Sequence, residues 1–211
     1  VQRERTGRLG IEFETTSKGL KVTRVIPNSP ADRAKNNLMV GDVITSINGE
    51  SISDQSNFYE SLVETAGDPL ILELESTDGK KEIVIRPSSS VEDELYEEWV
   101  ADRAKLVDEY SNGRLGYIHI KGMDKPSFER FERELMASGY GKEGIVIDVR
   151  YNGGGWTTDY LMAVLSVRQH AYTIPRGAAS SLEDNQKFKD FYPYSERLPL
   201  AACTKPSIAL C

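Results

Sequence analysis

The stretch Ile-Val-Ile-Asp-Val-Arg-Tyr-Asn-Gly-Gly-Gly-Trp, residues 145–156, carries the most information in this chain. Its first half is apolar and rich in β-branched residues, which predicts a buried strand. The strand breaks into three consecutive glycines, and Trp156, Tyr160, Leu161, Val164 and Leu165 then recur at helical spacing. A strand, a glycine turn and a helix start leave unpaired backbone N–H groups facing one point. Such a nest can hold a phosphate or the oxyanion formed during acyl transfer. Neither phosphate-binding glycine pattern, Gly-x-x-x-x-Gly-Lys-Ser/Thr or Gly-x-Gly-x-x-Gly, is present. A turn that merely joins two elements fits the same spacing, and spacing alone leaves both readings open.

Working upstream, residues 115–120 (Leu-Gly-Tyr-Ile-His-Ile) read as a second strand. Asp124 is placed to cap a helix with Pro126 inside its start, Phe128, Phe131 and Leu135 on one face, and Gly139 at its close. Strands alternating with helices predict an α/β layer. Before it, an amphipathic helix is expected from Val91, with Leu95, Trp99, Leu106 and Tyr110 near one face and Asn112-Gly113 ending it. Glu92, Asp93, Glu94, Glu97 and Glu98 crowd that helix start and read as a solvated face. Downstream, residues 205–211 (Lys-Pro-Ser-Ile-Ala-Leu-Cys) read as a core strand that ends with the chain, and Val1 opens it without an initiator methionine. Both ends predict a segment of a longer protein. Residues 179–197 mix aromatics and charges in a loop-like pattern.

The first part of the chain is β-rich. Strands are expected at 9–13, 20–26, 43–47, 70–74 and 82–85. Two helices interrupt them, one opening at Ser29-Pro30 and one over about 55–65, with Phe58 and Leu62 facing inward. Asn48-Gly49 and Asp78-Gly79 are hairpin signals. Pro87-Ser88-Ser89-Ser90 marks a composition break, so the expected division is 1–87, a linker at 88–90, and 91–211.

Composition narrows the partners. At 211 residues the chain can bury two ordinary cores. Its 26 basic and 33 acidic residues give a net charge of −7, which argues against general affinity for nucleic acid or anionic membrane. No apolar run approaches the ~20 residues a membrane helix needs. Cys203 and Cys211 form neither a disulfide framework nor a zinc pattern and are expected as buried free thiols. With His119 and His170 the only histidines, no metal or other cofactor is assigned.

The order of elements over 6–86 resembles a PDZ domain. The matching residues are Arg8-Leu9-Gly10-Ile11, the run Val25-Ile26-Pro27-Asn28-Ser29-Pro30-Ala31, and residues 38–49 (Leu-Met-Val-Gly-Asp-Val-Ile-Thr-Ser-Ile-Asn-Gly). The resemblance implies that a peptide adds as a strand beside the second strand, and that the N–H groups of Leu9, Gly10 and Ile11 hold its terminal carboxylate while the second helix forms the other wall.

Residues 113–120, 148–155 (Asp-Val-Arg-Tyr-Asn-Gly-Gly-Gly) and 205–210 resemble the catalytic domain of the C-terminal processing peptidases, and more closely that of the tricorn-type proteases. The fold class implied is an α+β PDZ domain, β-rich with two helices, followed by an incomplete α/β crotonase-like domain. The resemblance further implies serine nucleophile chemistry with Gly153, Gly154 and Gly155 as oxyanion-hole candidates. Family order puts the nucleophilic serine beyond Cys211. The base is either a histidine from before the PDZ domain or a lysine after the serine. The expectation is therefore a fragment of a PDZ-containing serine endopeptidase, inactive by itself.

Within the chain, Ser207 is expected as a core or edge hydroxyl and His119 as a packed histidine. Asp148 and Arg150 are expected to pair and brace the turn; His170 is nearer the groove by chain order, with substrate contact the lesser reading, and Arg176-Gly177-Ala178 reads as a substrate-side loop with no fixed role. Peptides or protein C-termini are the expected partners. A non-catalytic PDZ-type peptide-binding protein is the alternative. Compartment and oligomeric state stay open.

Overall fold

A computed structural model describes residues 5–33, 38–166, 172–173, 195–196, 203 and 205–211. The chain forms two compact units, Val1–Ala101 and Asp102–Cys211.

In the first unit β1 (Ile11–Thr16), β2 (Gly19–Val25), β3 (Val43–Ile47), β5 (Leu70–Ser76) and β6 (Gly79–Ile85) lie in the order β1-β2-β3-β5-β6, all antiparallel, with the short β4 (Glu50–Ser51) paired to β3. Alternation decides which face is buried: Leu70, Leu72 and Leu74 of β5 and Ile83 and Ile85 of β6 point into one core with Leu20, Val22 and Ile44. Asn48 sits at φ 49 and Gly49 at φ 81, the backbone a two-residue hairpin turn requires. The Asn48 carboxamide oxygen also accepts the Ile71 N–H at 2.9 Å.

One expected helix, α1 (Pro30–Arg33), opens where Ser29 and Pro30 place it. The other does not form. Residues 53–65 make turns around a single 3-10 turn at Glu60–Leu62. The side chains explain this: Ser56 Oγ accepts the Ser53 N–H at 3.0 Å and Ser53 Oγ accepts the Gln55 N–H at 3.2 Å, local bonds that compete with a helix. Phe58 and Leu62 still point into the core. Burial was legible from their spacing even though the helix was not.

Helix α2 (Glu92–Tyr110) opens with Ser90 Oγ accepting the Glu92 N–H at 3.1 Å. The break at 88–90 is tied down, since Arg8 and Ser88 exchange backbone hydrogen bonds of 2.7 and 3.0 Å. The expected apolar face of α2 contains no buried residue. The acidic cluster differs as well. Glu98 pairs with Arg24 and Glu94 with Arg33 at 2.9 Å, their side chains 23% and 17% exposed, so the face read as solvated is partly an ion-pairing surface.

In the second unit β7 (Leu115–His119) leads through α3 (Lys125–Gly139) to β8 (Gly144–Asp148), and β11 (Ser207–Leu210) completes a parallel sheet in the order β11-β8-β7. The two-residue strands β9 (Tyr172–Thr173) and β10 (Ser195–Glu196) pair antiparallel. Asp124 caps α3 by accepting the Ser127 N–H at 2.9 Å, and Phe131 and Leu135 pack on Ile118, Ile145 and Ile147. All five residues of β8 are buried, as a central parallel strand requires. The apolar run at 205–211 forms β11, which pairs with β8 and is exposed along its length among the described residues. Cys211 is accordingly exposed, and only Cys203 is half-buried against the core. Helix α4 (Thr158–Leu165) buries Leu161 and Val164 but leaves Trp156 and Tyr160 exposed in an edge-to-face pair, ring centroids 5.7 Å apart.

Candidate functional site

Two sites emerge, one in each unit. The first is a groove of about 140 Å³ in the PDZ-like unit, lined among others by Arg8, Gly10, Phe13, Phe58, Leu62 and Val91. Phe13 and Phe58 meet edge to face with centroids 4.8 Å apart, and the Arg8 guanidinium lies 6.0 Å from the centre of the Tyr59 ring. The wall opposite β1 is the turn segment around Phe58 and Leu62, with Val91 added from the start of α2. It is not a second helix.

Strand β2 lies between β1 and β3, so among the described residues β1 is the one of the two expected strands at the sheet edge. Its approach is shaped by Gly10, whose φ is 81 and where a Cβ would stand 2.1 Å from the Ser29 Cβ. The carbonyls here are engaged: Leu9 O accepts from Ala31 N at 2.8 Å and Gly10 O from Ile26 N at 2.9 Å. No acceptor among the described residues takes the N–H of Leu9 or Gly10. Since Gly10 bonds to Ile26, the Ile11–Val25 pair falls at the position where an antiparallel ladder turns its N–H outward. The N–H groups of Leu9 and Gly10 are thus without an acceptor among the described residues, and that of Ile11 lies on the outer side of the β1–β2 ladder.

The second site is the turn after β8, at the carboxyl end of a parallel sheet, where open α/β sheets place their ligands. Asp148, the last residue of β8, is fully buried. Arg150 meets it with Nε 2.9 Å from Oδ1 and Nη2 2.5 Å from Oδ2, and the Tyr117 hydroxyl donates to Oδ2 at 2.7 Å. Burial pushes the Asp148 carboxyl up, but the Arg150 and Tyr117 hydrogen bonds outweigh it and hold the carboxyl down at about 2. Burial and the Asp148 charge raise the Tyr117 hydroxyl above its usual value. The brace expected of Asp148 and Arg150 is present.

His119 is buried, and its Nε2 donates to the Arg150 carbonyl at 2.9 Å, which makes it a packed histidine. Ser207 is an exposed edge hydroxyl. His170 and residues 176–178 lie outside the described residues, as do residues 179–194 and 197.

Beyond Arg150 the chain enters the glycines through Tyr151 at φ 64, an uncommon conformation for a bulky residue. Asn152 spans the turn: its Nδ2 donates to Ile120 O at 2.9 Å and its Oδ1 accepts the Gly154 N–H at 2.8 Å. Gly155 sits beside Met123 in an isolated parallel bridge. The N–H groups of Gly153 and Gly155 have no acceptor among the described residues. Gly154, one of the three oxyanion candidates, thus has its N–H taken by Asn152. The turn distinguishes them.

These features match known proteins. Residues 7–84 match the PDZ domain family and residues 114–206 match peptidase family S41. The chain belongs to the tricorn-type protease family. Tricorn protease homolog 1 of Streptomyces coelicolor is 32% identical over 184 residues, 82% of this chain and 17% of that protein. The tricorn protease homolog of Saccharolobus solfataricus is 35% identical over 181 residues, 81% of this chain and 16% of that protein. The crystal structure of the tricorn protease superposes with a TM-score of 0.74 at 26% identity, covering 97% of this tricorn-type chain and 19% of its own. The chain thus spans about one-sixth of the curated relatives it matches.

Among the described residues no helix is long and apolar enough to cross a membrane, and no three His, Cys, Asp or Glu side chains gather to hold a metal ion.

Proposed function

We propose that this chain is the peptide-handling segment of a tricorn-type serine endopeptidase. On this reading residues 1–87 are the PDZ domain, 88–90 its link, and 91–211 the first part of the catalytic domain. The PDZ groove takes a peptide strand along β1, with the amides of Leu9, Gly10 and Ile11 on its terminal carboxylate. The glycine turn at 153–155 supplies oxyanion donors from the amides that it leaves unbonded, those of Gly153 and Gly155. A serine outside residues 1–211 attacks the scissile carbonyl, a base also outside them takes its proton, and the carbonyl oxygen becomes an oxyanion that an N–H of the turn stabilises. Collapse of that intermediate expels the amine, which leaves with the proton.

The observation that carries the reading is the Gly153 amide, left without an acceptor among the described residues at the carboxyl end of β8, in a chain whose relatives are proteases. The test is turnover of fluorogenic peptides. The 211-residue chain alone should show none, because acyl transfer without nucleophile and base keeps little rate. A longer protein that carries this sequence together with both groups should cleave them. Turnover by the chain alone that survives a Ser207→Ala control would place the nucleophile elsewhere and overturn the assignment.

A further inference from the structure

We propose that Asn152 is a positioning residue that sorts the amides of the glycine turn, committing that of Gly154 and leaving those of Gly153 and Gly155 open to the oxyanion. This rests on the peptidase reading above.

A carboxamide is suited to the task because it offers an acceptor and donors on one rigid plane. Nδ2 anchors the turn to Ile120 O, and the Ile120 N–H in turn donates to Asp148 O at 2.9 Å, so the anchor reaches the ends of both β7 and β8. Oδ1 holds the Gly154 N–H. The residue before Asn152, Tyr151, has a bulky side chain in the left-handed region at φ 64. L-residues avoid that conformation unless neighbouring bonds impose it. The Arg150–Asp148 pair lies on one side of it and the two Asn152 bonds on the other.

The glycines differ in a second respect. Gly154 has a local reason to be glycine, a φ of 79. Gly155 has another, since a Cβ there would stand 2.6 Å from Met123 O. Gly153 has neither. Its φ lies outside the left-handed region, and no described atom comes within 4 Å of where its Cβ would be. What a missing side chain provides there is free approach of a ligand to the backbone.

Amide hydrogen exchange on the 211-residue chain, read by NMR, tests the clamp. Gly154 should exchange at least about 10-fold more slowly than Gly153, because its N–H is bonded and the other is not. Asn152→Ala should erase the difference. Asn152→Asp, which keeps the acceptor and loses the donor, should preserve part of it. Equal exchange of the two glycines in the unsubstituted chain overturns the clamp, and this comparison needs no variant to fold.

Kinetics on a catalytically complete protein carrying this sequence test the donor. Asn152→Ala should lower kcat by about 10- to 100-fold, and Gly153→Ala by up to about 10³-fold, with KM for short peptides changed less than about twofold. Asn152→Asp should recover part of the rate. A loss of thermal stability in Asn152→Ala with kcat intact would make Asn152 a brace only and overturn the proposal. An unsubstituted protein that cleaves nothing sinks the peptidase reading and the donor assignment together, while the exchange comparison still judges the clamp by itself.

Discussion

Arg150 grips Asp148 from two residues away, with Nε 2.9 Å from Oδ1 and Nη2 2.5 Å from Oδ2, and the Arg150 N–H closes a third bond to Oδ1 at 3.0 Å. The Asp148 side chain is fully buried while the Arg150 side chain is 39% exposed. The pair therefore sits at the lip of the sheet, where β8 ends and the glycine turn begins. Because the Arg150 carbonyl also accepts from His119, the backbone leaving β8 is fixed from three directions before it reaches Tyr151. On the proposed reading, in which the turn presents an amide, it needs such a rigid base.

That pair sets a pH dependence. The Asp148 carboxyl titrates at about 2, below the ~3.9 of an unfolded chain. A depressed carboxyl stabilises the fold above the unfolded value, and the contribution is lost as pH falls through the folded one. Between about pH 4 and pH 2 the chain should lose on the order of 2 kcal/mol from this residue. Urea denaturation at pH 7, 4 and 2.5 should show the loss in the unsubstituted chain and a smaller one in Asp148→Asn. Equal pH dependence in both would show that Asp148 does not carry it.

Gly10→Ala should damage the first unit well beyond ordinary glycine replacement. Its φ of 81 costs an L-residue about 1–2 kcal/mol, and the 2.1 Å approach to Ser29 adds an overpacking cost of about 1–3 kcal/mol. Gly41→Ala is the control, with a φ of 98 and nothing within 4 Å, and should cost only about 1 kcal/mol. Thermal melts of the two variants decide it. Similar losses would mean that Ser29 yields and that the loop is not tightly shaped.

Ser46→Ala should be neutral or stabilising. Ser46 is buried on β3 and its hydroxyl has no partner among the described residues. Removing an unsatisfied buried hydroxyl gains up to roughly 1 kcal/mol. A clear destabilisation by denaturant titration would show that the hydroxyl is bonded after all.

Peptide binding to the groove should depend on a free C-terminus. Fluorescence anisotropy with a peptide ending in an apolar residue should give roughly micromolar affinity, as expected for a small interface. Amidating the terminus should weaken binding at least about 10-fold, since the three amides of residues 9–11 would lose their anionic partner. Equal binding of acid and amide would rule out the loop as the carboxylate site.

Local chemistry made much of this protein legible in its sequence. The β-branched run at 145–149 announced a strand buried on both faces, and β8 is one. Asp124 with Pro126 announced the start of α3, and Asn48-Gly49 announced the hairpin. These signals are read within a few residues, so no distant contact is needed to interpret them. The PDZ and tricorn-type motifs are local in the same sense, and the family was identifiable from them.

Short-range side-chain bonds at Ser53 and Ser56, which periodicity does not register, compete with a helix over residues 55–65. Tertiary structure decided the rest. Whether Glu94 and Glu98 face water turned on Arg33 and Arg24, at least 61 residues away in the chain. How the Asn152 carboxamide is anchored over the glycine turn depended on Ile120, 32 residues distant. Sequence patterns report what a residue prefers for itself and its near neighbours. A hydrogen bond to a distant carbonyl has no period and no spacing, and only folding brings its two ends together.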